Sequence, residues 1–438
     1  MNSIFNTIRN RRRAIVALIA IAITLACPFS ASARSHLSLS VSGDVLISGG
    51  ITNNGSPTAT AEFFSVSSNE FFATGRMHIA RSGLQSQTVG VTPETTVPQT
   101  FIFGGSKARV RAIGLTLQQA SANAIVIERY DSSKGVFDRY NAHMALPRTL
   151  FASVPFPGDF SVTDLDGHIL VVGGMAKGGI TALGEAIDPT NIEDITGNMN
   201  VPRMFATGTL LNDGTVLVTG GITDSSGDVT DTAELFDPST FNYTELSSTM
   251  TVPRAGHTAT LLDNGTVLIA GGLTGTGGTL NGLKSAEIYN PISQTFSAVG
   301  NLSDDRSFQT ASLLGDGTVL IAGGANGDAN VVTSKSFKIT LVSGGPVNNA
   351  EIYNPSSQSF VCAGGSSGTP CPPIMNAGRL FDTATTVADG VLFAGGFGLS
   401  NKGTLAAQNT AELYANGQFV PVGNMIEARA LQSACVLP

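Results

Sequence analysis

Three residue markers recur in the same order seven times along this chain. Glycine pairs close apolar runs at Gly49-Gly50, Gly104-Gly105, Gly173-Gly174, Gly220-Gly221, Gly271-Gly272, Gly323-Gly324 and Gly395-Gly396. One glutamate follows each pair: Glu62, Glu128, Glu185, Glu234, Glu287, Glu351 and Glu412. One arginine follows each glutamate: Arg81, Arg148, Arg203, Arg254, Arg306, Arg379 and Arg429. Successive glycine pairs lie 47 to 72 residues apart. Such a spacing marks one supersecondary unit repeated, each copy stacking on its neighbours because none can bury its apolar face alone. The 438 residues therefore read as one large domain rather than two or three ordinary ones.

One repeat, Arg254 to Arg306, shows the unit. HTATLL (257–262) alternates as a strand. Asp263-Asn264-Gly265 follows, and Asn-Gly predicts a tight hairpin with both turn positions at positive φ. TVLIAGG (266–272) is a nearly continuous apolar run, as in a strand buried on both faces. The glycines end it where no side chain fits or the backbone must kink. A variable loop leads to AEIYNP (286–291), a third strand stopped by proline, and a fourth strand lies around Phe296. Elsewhere the unit reads TGTLLNDGTVLVTGG (207–221) and TASLLGDGTVLIAGG (310–324), and it is degenerate in the first three copies.

A glycine doublet after an apolar strand, then an acidic residue and an aromatic at fixed offset, resembles kelch repeats over about residues 36–438. The DGxVLxxGG and AExYxP variants are similar to the propeller of the galactose-oxidase-like family. The resemblance implies an all-β fold: a seven-bladed kelch-type β-propeller with four antiparallel strands per blade, formed by residues 34–438. It also implies a tryptophan in each fourth strand. This chain has none, and Phe71, Phe137, Phe241, Phe296, Phe360 and Phe419 are expected there instead. After Arg429 the chain ends on ALQSACVLP, which matches a first strand with no second strand behind it. That strand is expected to complete the first blade. HLSLSV (36–41) is the competing candidate.

Residues 1–33 stand apart. Arg9, Arg11, Arg12 and Arg13 precede an apolar stretch from Ala14 to Ala26, and Ala31-Ser32-Ala33 fits a small-x-small cleavage site. This reads as a secretory signal peptide, the stretch being too short to span a bilayer that needs about 20 residues. A lipoprotein anchored through Cys27 is the lesser reading, because Thr24 stands where such a signal wants an aliphatic residue. The chain has 24 basic and 32 acidic residues; without the four leader arginines, 20 face 32, a net charge of −12. An acidic surface repels nucleic acid and anionic membranes, and leaves sugars, calcium and basic proteins open as partners. A secreted or periplasmic monomer is expected.

In an antiparallel meander, successive turns alternate between two faces. The segments 106–127, 149–160, 325–350 and 361–373 fall on one face and carry most of the length variation. A rigid scaffold with variable loops on one side usually binds there. The expected function is recognition of protein or glycan through that face; the alternative is a carbohydrate-active oxidase-like enzyme. Copper radical oxidases of the resembled family hold their metal with two tyrosines and two histidines. His36, His78, His143, His168 and His257 match no such set, so no cofactor and no catalytic residue is assigned. Asp224, Asp228 and Asp231 crowd one loop and are weak calcium candidates, because calcium takes oxygen ligands of this kind. Cys362 and Cys371 flank a Gly/Ser/Pro-rich segment and in an exported chain predict a disulfide. Cys435 is expected as a small apolar strand residue. Seven copies of one Glu and one Arg argue for structure, since a catalytic residue is needed once.

Overall fold

The structure, a computed structural model, describes residues 43–90, 98–106, 108–111, 114–118, 122–156, 167–188, 195–332, 336–365 and 371–438. The signal segment 1–33, Cys27, His36 and HLSLSV lie outside the described residues.

The fold is all-β. Among the described residues seven sheets are four-stranded and antiparallel. Sheet 2 joins Ser82–Val89, Gln99–Ser106, Val126–Asp131 and Val136–His143. Sheet 3 joins Ala152–Pro155, Ile169–Val172, Leu183–Ile187 and Ile195–Asn198. Sheet 4 runs Thr207–Leu210, Val216–Thr219, Ala233–Asp237, Asn242–Glu245, and sheet 5 Thr258–Leu261, Val267–Ala270, Ala286–Asn290, Thr295–Ala298. Sheet 6 runs Thr310–Leu313, Val319–Ala322, Ala350–Asn354, Ser359–Cys362, and sheet 7 Thr383–Val387, Gly390–Ala394, Ala411–Ala415, Gln418–Pro421. Sheet 1 takes Val45–Ser48, Ala61–Ser65 and Glu70–Ala73 from the start of the described chain and Ser433–Val436 from its end. Val45 pairs with Val436 and Ser48 with Ser433, so the C-terminal strand completes the first sheet.

Each second strand is an unbroken apolar run because both its faces are covered; Val267–Ala270 and Val319–Ala322 are buried throughout. Every neighbouring pair of sheets shares an apolar cluster, and sheet 7 packs on sheet 1 as the others pack on each other. Between sheets 5 and 6, for instance, Leu268 and Ile288 meet Val319, Ile321 and Tyr353. Full burial of each such side chain contributes about 1.5–3 kcal/mol. The first strands also touch in order, from sheet 2 through sheet 7 to Ser433–Val436 and back to Ser82–Val89.

The glycine pair turns the chain out of the second strand in left-handed backbone. Gly271 and Gly272 have φ of 64° and 100°. A Cβ on Gly271 would lie 2.6 Å from the Arg306 carbonyl oxygen, and one on Gly272 2.8 Å from that of Ala255. Only glycine accepts both the conformation and the approach.

Two local expectations are corrected. At Asp263-Asn264-Gly265 only Gly265 has positive φ, 83°. Gly265 N–H donates to the Leu262 carbonyl and Leu262 N–H to that of Thr266, a three-residue loop with a left-handed glycine. Asn264 keeps ordinary backbone because its Oδ1 accepts from the Thr266 amide and hydroxyl, an Asx turn. In sheet 4, Phe241 sits in the turn at φ 57°, and Tyr243 takes the expected fourth-strand position opposite Phe236. Elsewhere the aromatic pairs are Phe64–Phe71, Tyr130–Phe137, Tyr289–Phe296, Tyr353–Phe360 and Tyr414–Phe419, with centroids 4.9 to 5.0 Å apart. Such a cross-strand pair on one face adds directly to sheet stability.

Candidate functional site

The seven arginines and glutamates are buried and paired, each arginine with the glutamate of the following repeat. Arg81–Glu128, Arg148–Glu185, Arg203–Glu234, Arg254–Glu287, Arg306–Glu351, Arg379–Glu412 and Arg429–Glu62 lie 2.6 to 3.0 Å apart. Arg254 Nη1 also donates to the carbonyls of Gly271 and Ser285, while Glu287 Oε2 accepts from the Thr251 amide. One pair thus ties the linker, the glycine turn and the third strand. Burial pushes the Glu185 carboxyl up and the Arg254 and Arg306 guanidiniums down, each opposed by its partner. These pairs are structural and leave no free charge for chemistry.

The residue two places after each arginine is left-handed in every repeat: Gly83, Leu150, Phe205, Gly256, Phe308, Phe381 and Leu431, with φ between 53° and 62°. Their backbones bond to one another around the centre. Gly83 N–H donates to Leu431, Leu431 to Phe381, Phe308 to Gly256, Gly256 to Phe205 and Phe205 to Leu150. Five of these residues are not glycine, and such strain costs about 1–3 kcal/mol each and persists only where the surroundings impose it. The surroundings are apolar: Phe205 packs 5.1 Å from Phe308 and from Phe337, and Phe308 4.5 Å from Phe381. Sequence reasoning passed over this layer, although its signal was available in the Phe, Leu or Gly fixed two places after every arginine.

Phe337 belongs to a six-stranded sheet built from the two long insertions and the 273–282 hairpin. Its order is Leu273–Thr276, Thr279–Gly282, Ala329–Val332, Ser336–Leu341, Gly114–Gln118 and Ala108–Arg111. The segments 106–127 and 325–350 therefore pair with each other, Phe337 opposite Leu117 and Ile339 opposite Leu115. The buried face of this sheet carries Leu280, Ala329, Val331, Phe337, Ile339 and Leu341. Its other face exposes Thr279, Asn281, Asn330, Val332 and Lys338, with Thr116 and Thr340 half-buried among them. No helix among the described residues is long and apolar enough to cross a membrane.

Beneath the aromatic layer lies a cavity of about 390 Å³, lined by residues of all seven first strands or their leading ends. The residue three places after the arginine lines it in six of the seven repeats. His257 Nε2 meets the Thr207 and Thr219 hydroxyls at 3.1 and 3.0 Å, and burial holds the imidazole well below its usual pKa, so it is neutral. Gln309 Nε2 donates to the Ala270 carbonyl and Gln432 Nε2 to the Ala394 carbonyl, both at 2.8 Å. Asp382 holds the corresponding place in sheet 7. Both its oxygens are shielded, and no other residue gives them a hydrogen bond; the backbone amide that acts on the carboxyl is its own. Burial pushes this carboxyl up to about 7, against the pull of Arg379.

The remaining candidates are dispersed. His78 Nδ1 lies 3.0 Å from Glu128, His168 3.9 Å from Asp188, and His143 is exposed. Asp224 Oδ1 accepts from the amides of Ser226, Gly227 and Asp228, and Asp228 Oδ1 from that of Gly277. Asp231 stands outside this network, its backbone carbonyl accepting from Met250 N–H. Among the described residues no group of three or more His, Cys, Asp or Glu could hold a metal ion. Cys362 and Cys371 are placed to form a disulfide, Cα atoms 5.5 Å apart, and Cys435 is buried in the C-terminal strand. No protein-family model and no curated protein matches the chain.

Proposed function

We propose that the seven sheets are blades of a kelch-type propeller, exported by its leader, and that this protein is a binding scaffold of the galactose-oxidase-like kind without catalysis. The cyclic packing of the sheets and the seven repeated ion pairs support the propeller reading. One observation carries the binding reading: the two longest insertions, with the 273–282 hairpin, spend their apolar residues on sealing the centre and present a mostly polar outer face. Thr279, Asn281, Asn330 and Thr340 offer hydroxyl and amide groups, and Lys338 is the charged side chain among them. Such groups suit the hydroxyls of a glycan. Among the described residues His78, His168 and His257 contact separate partners, which gives the oxidase-like alternative no support.

The test is a glycan-array screen of the mature protein, followed by titration of Asn330→Ala and Lys338→Ala. Both variants should melt as the wild type does and bind at least about tenfold more weakly, the loss of roughly one good polar contact. Glycan binding unchanged in both would sink the assignment to this face.

A further inference from the structure

The cavity at the centre is the feature that the binding reading leaves unused. We propose that it is a second binding site, for a small organic cation that presents a protonated amine to Asp382.

Its volume of about 390 Å³ is that of a small-molecule pocket. At one end it is lined by Ala206, Gln309 and Asp382, the chain neighbours of the packed Phe205, Phe308 and Phe381. From there it follows the first strands toward their hairpin ends at Leu210 and Thr260. Apart from Asp382 and His257, the polar part of the lining is hydroxyl and amide, with Ser153, Thr258, Thr310, Thr383, Gln309 and Gln432 among it, while Phe151, Val154, Pro155, Leu210 and several alanines make the rest apolar. No lysine or arginine lines it.

Asp382 departs from its equivalents in one chemical respect. Gln309 and Gln432 each donate an amide hydrogen to a carbonyl of the preceding sheet, and His257 meets two hydroxyls there. An ionised carboxylate has no hydrogen to give and cannot repeat that bond. It is left shielded, with no hydrogen bond from any other residue and no cation in the lining. The charges that act on it are Arg379, already held by Glu412, and Glu412 itself, which opposes ionisation; the flanking Gln309 and Gln432 are neutral, and so is His257. A buried carboxyl in that position is stable either protonated or with a donor brought from outside. The site requires the carboxyl to turn toward the cavity that Asp382 lines, where an ammonium group would form a charge-assisted hydrogen bond. The amine exchanges for the carboxyl proton, so binding strengthens as pH rises toward the raised pKa.

The experiment is calorimetric titration of the full mature protein with cadaverine, spermidine and ethanolamine, and with the neutral pentanediol. At about pH 8 at least one amine should bind, pentanediol should not, and Asp382→Asn should weaken the amine at least about tenfold. No amine bound at about 10 mM, equal affinity for pentanediol, or undiminished binding by Asp382→Asn would overturn the proposal. Should Asp382→Asn fail to fold, the wild type decides: affinity rising at least about tenfold from about pH 5 to about pH 8 supports the site, and constant affinity overturns it.

Discussion

Arg429 Nη2 lies 2.8 Å from Glu62 Oε1, although 367 positions separate the two residues in the chain. The other six arginines reach a glutamate 31 to 47 positions further on. Arg429 is the last of the repeat arginines and Glu62 the first of the repeat glutamates. Their pairing, beside the pairing of Ser433–Val436 with Val45–Ser48, joins the end of the chain to its start. Arg429 Nη1 adds bonds to the Gly49 and Thr60 carbonyls, and Glu62 Oε2 accepts from the Ile426 amide. The seam therefore carries the same bonds as the joints inside the chain.

Removing one partner of such a pair leaves a buried, uncompensated charge. Glu62→Ala should destabilise by about 3–5 kcal/mol, and so should Glu287→Ala within the continuous chain. Comparable falls in denaturation midpoint for both variants are expected. A Glu62→Ala variant that melted with the wild type would show that the seam contributes nothing.

Deleting residues 430–438 removes a whole strand and strips the covered edge of Val45–Ser48. An unpaired strand edge invites association with other chains. The truncated protein should lose its single cooperative transition and show concentration-dependent aggregation on heating, measured by scanning calorimetry with light scattering. One sharp transition at the wild-type temperature would contradict this.

How much of this was legible depended on the kind of signal. The glycine pairs, glutamates and arginines are backbone and burial requirements that recur in every copy, so repetition exposed both them and the strand order around them. The closing strand was legible because ALQSACVLP lacks a second strand behind it. The pairing partner of each arginine was not, because linear order sets each arginine nearest its own repeat's glutamate. The six-stranded sheet was missed because its strands pair across insertions more than 200 positions apart, Ile339 with Leu115, and pairing of that kind leaves no local mark. Asp382 was equally silent: one acidic residue after a phenylalanine says nothing until Gln309 and Gln432 are seen making the bond it cannot.

The Cys362–Cys371 link should be a local staple. Closing so short a loop should add about 2–3 kcal/mol in the chain-entropy model. Cys371 also lies against the Ser303 hydroxyl at 3.3 Å, so the loop is held to the linker before sheet 6. Reduction should lower the melting temperature of the wild type and leave Cys362→Ser with Cys371→Ser unaffected. Two free thiols counted by mass spectrometry in oxidised protein would remove the basis for this.

Asp382 should give the fold a pH dependence of unusual sign. Its folded pKa is raised to about 7, while an unfolded aspartate titrates near 3.9. Between those values the folded state keeps a proton that the unfolded state has released. Stability from this group is therefore full below about pH 4, falls as pH rises through the window, and levels off above about pH 7. The slope is at most about 1.4 kcal/mol per pH unit. Asp382→Asn cannot ionise and keeps a hydrogen to donate, as Gln309 and Gln432 do. Urea denaturation of both proteins across that window should show the wild type losing ground to the variant steadily up to about pH 7 and no further. Parallel curves would mean that the carboxyl does not hold its proton in the folded protein.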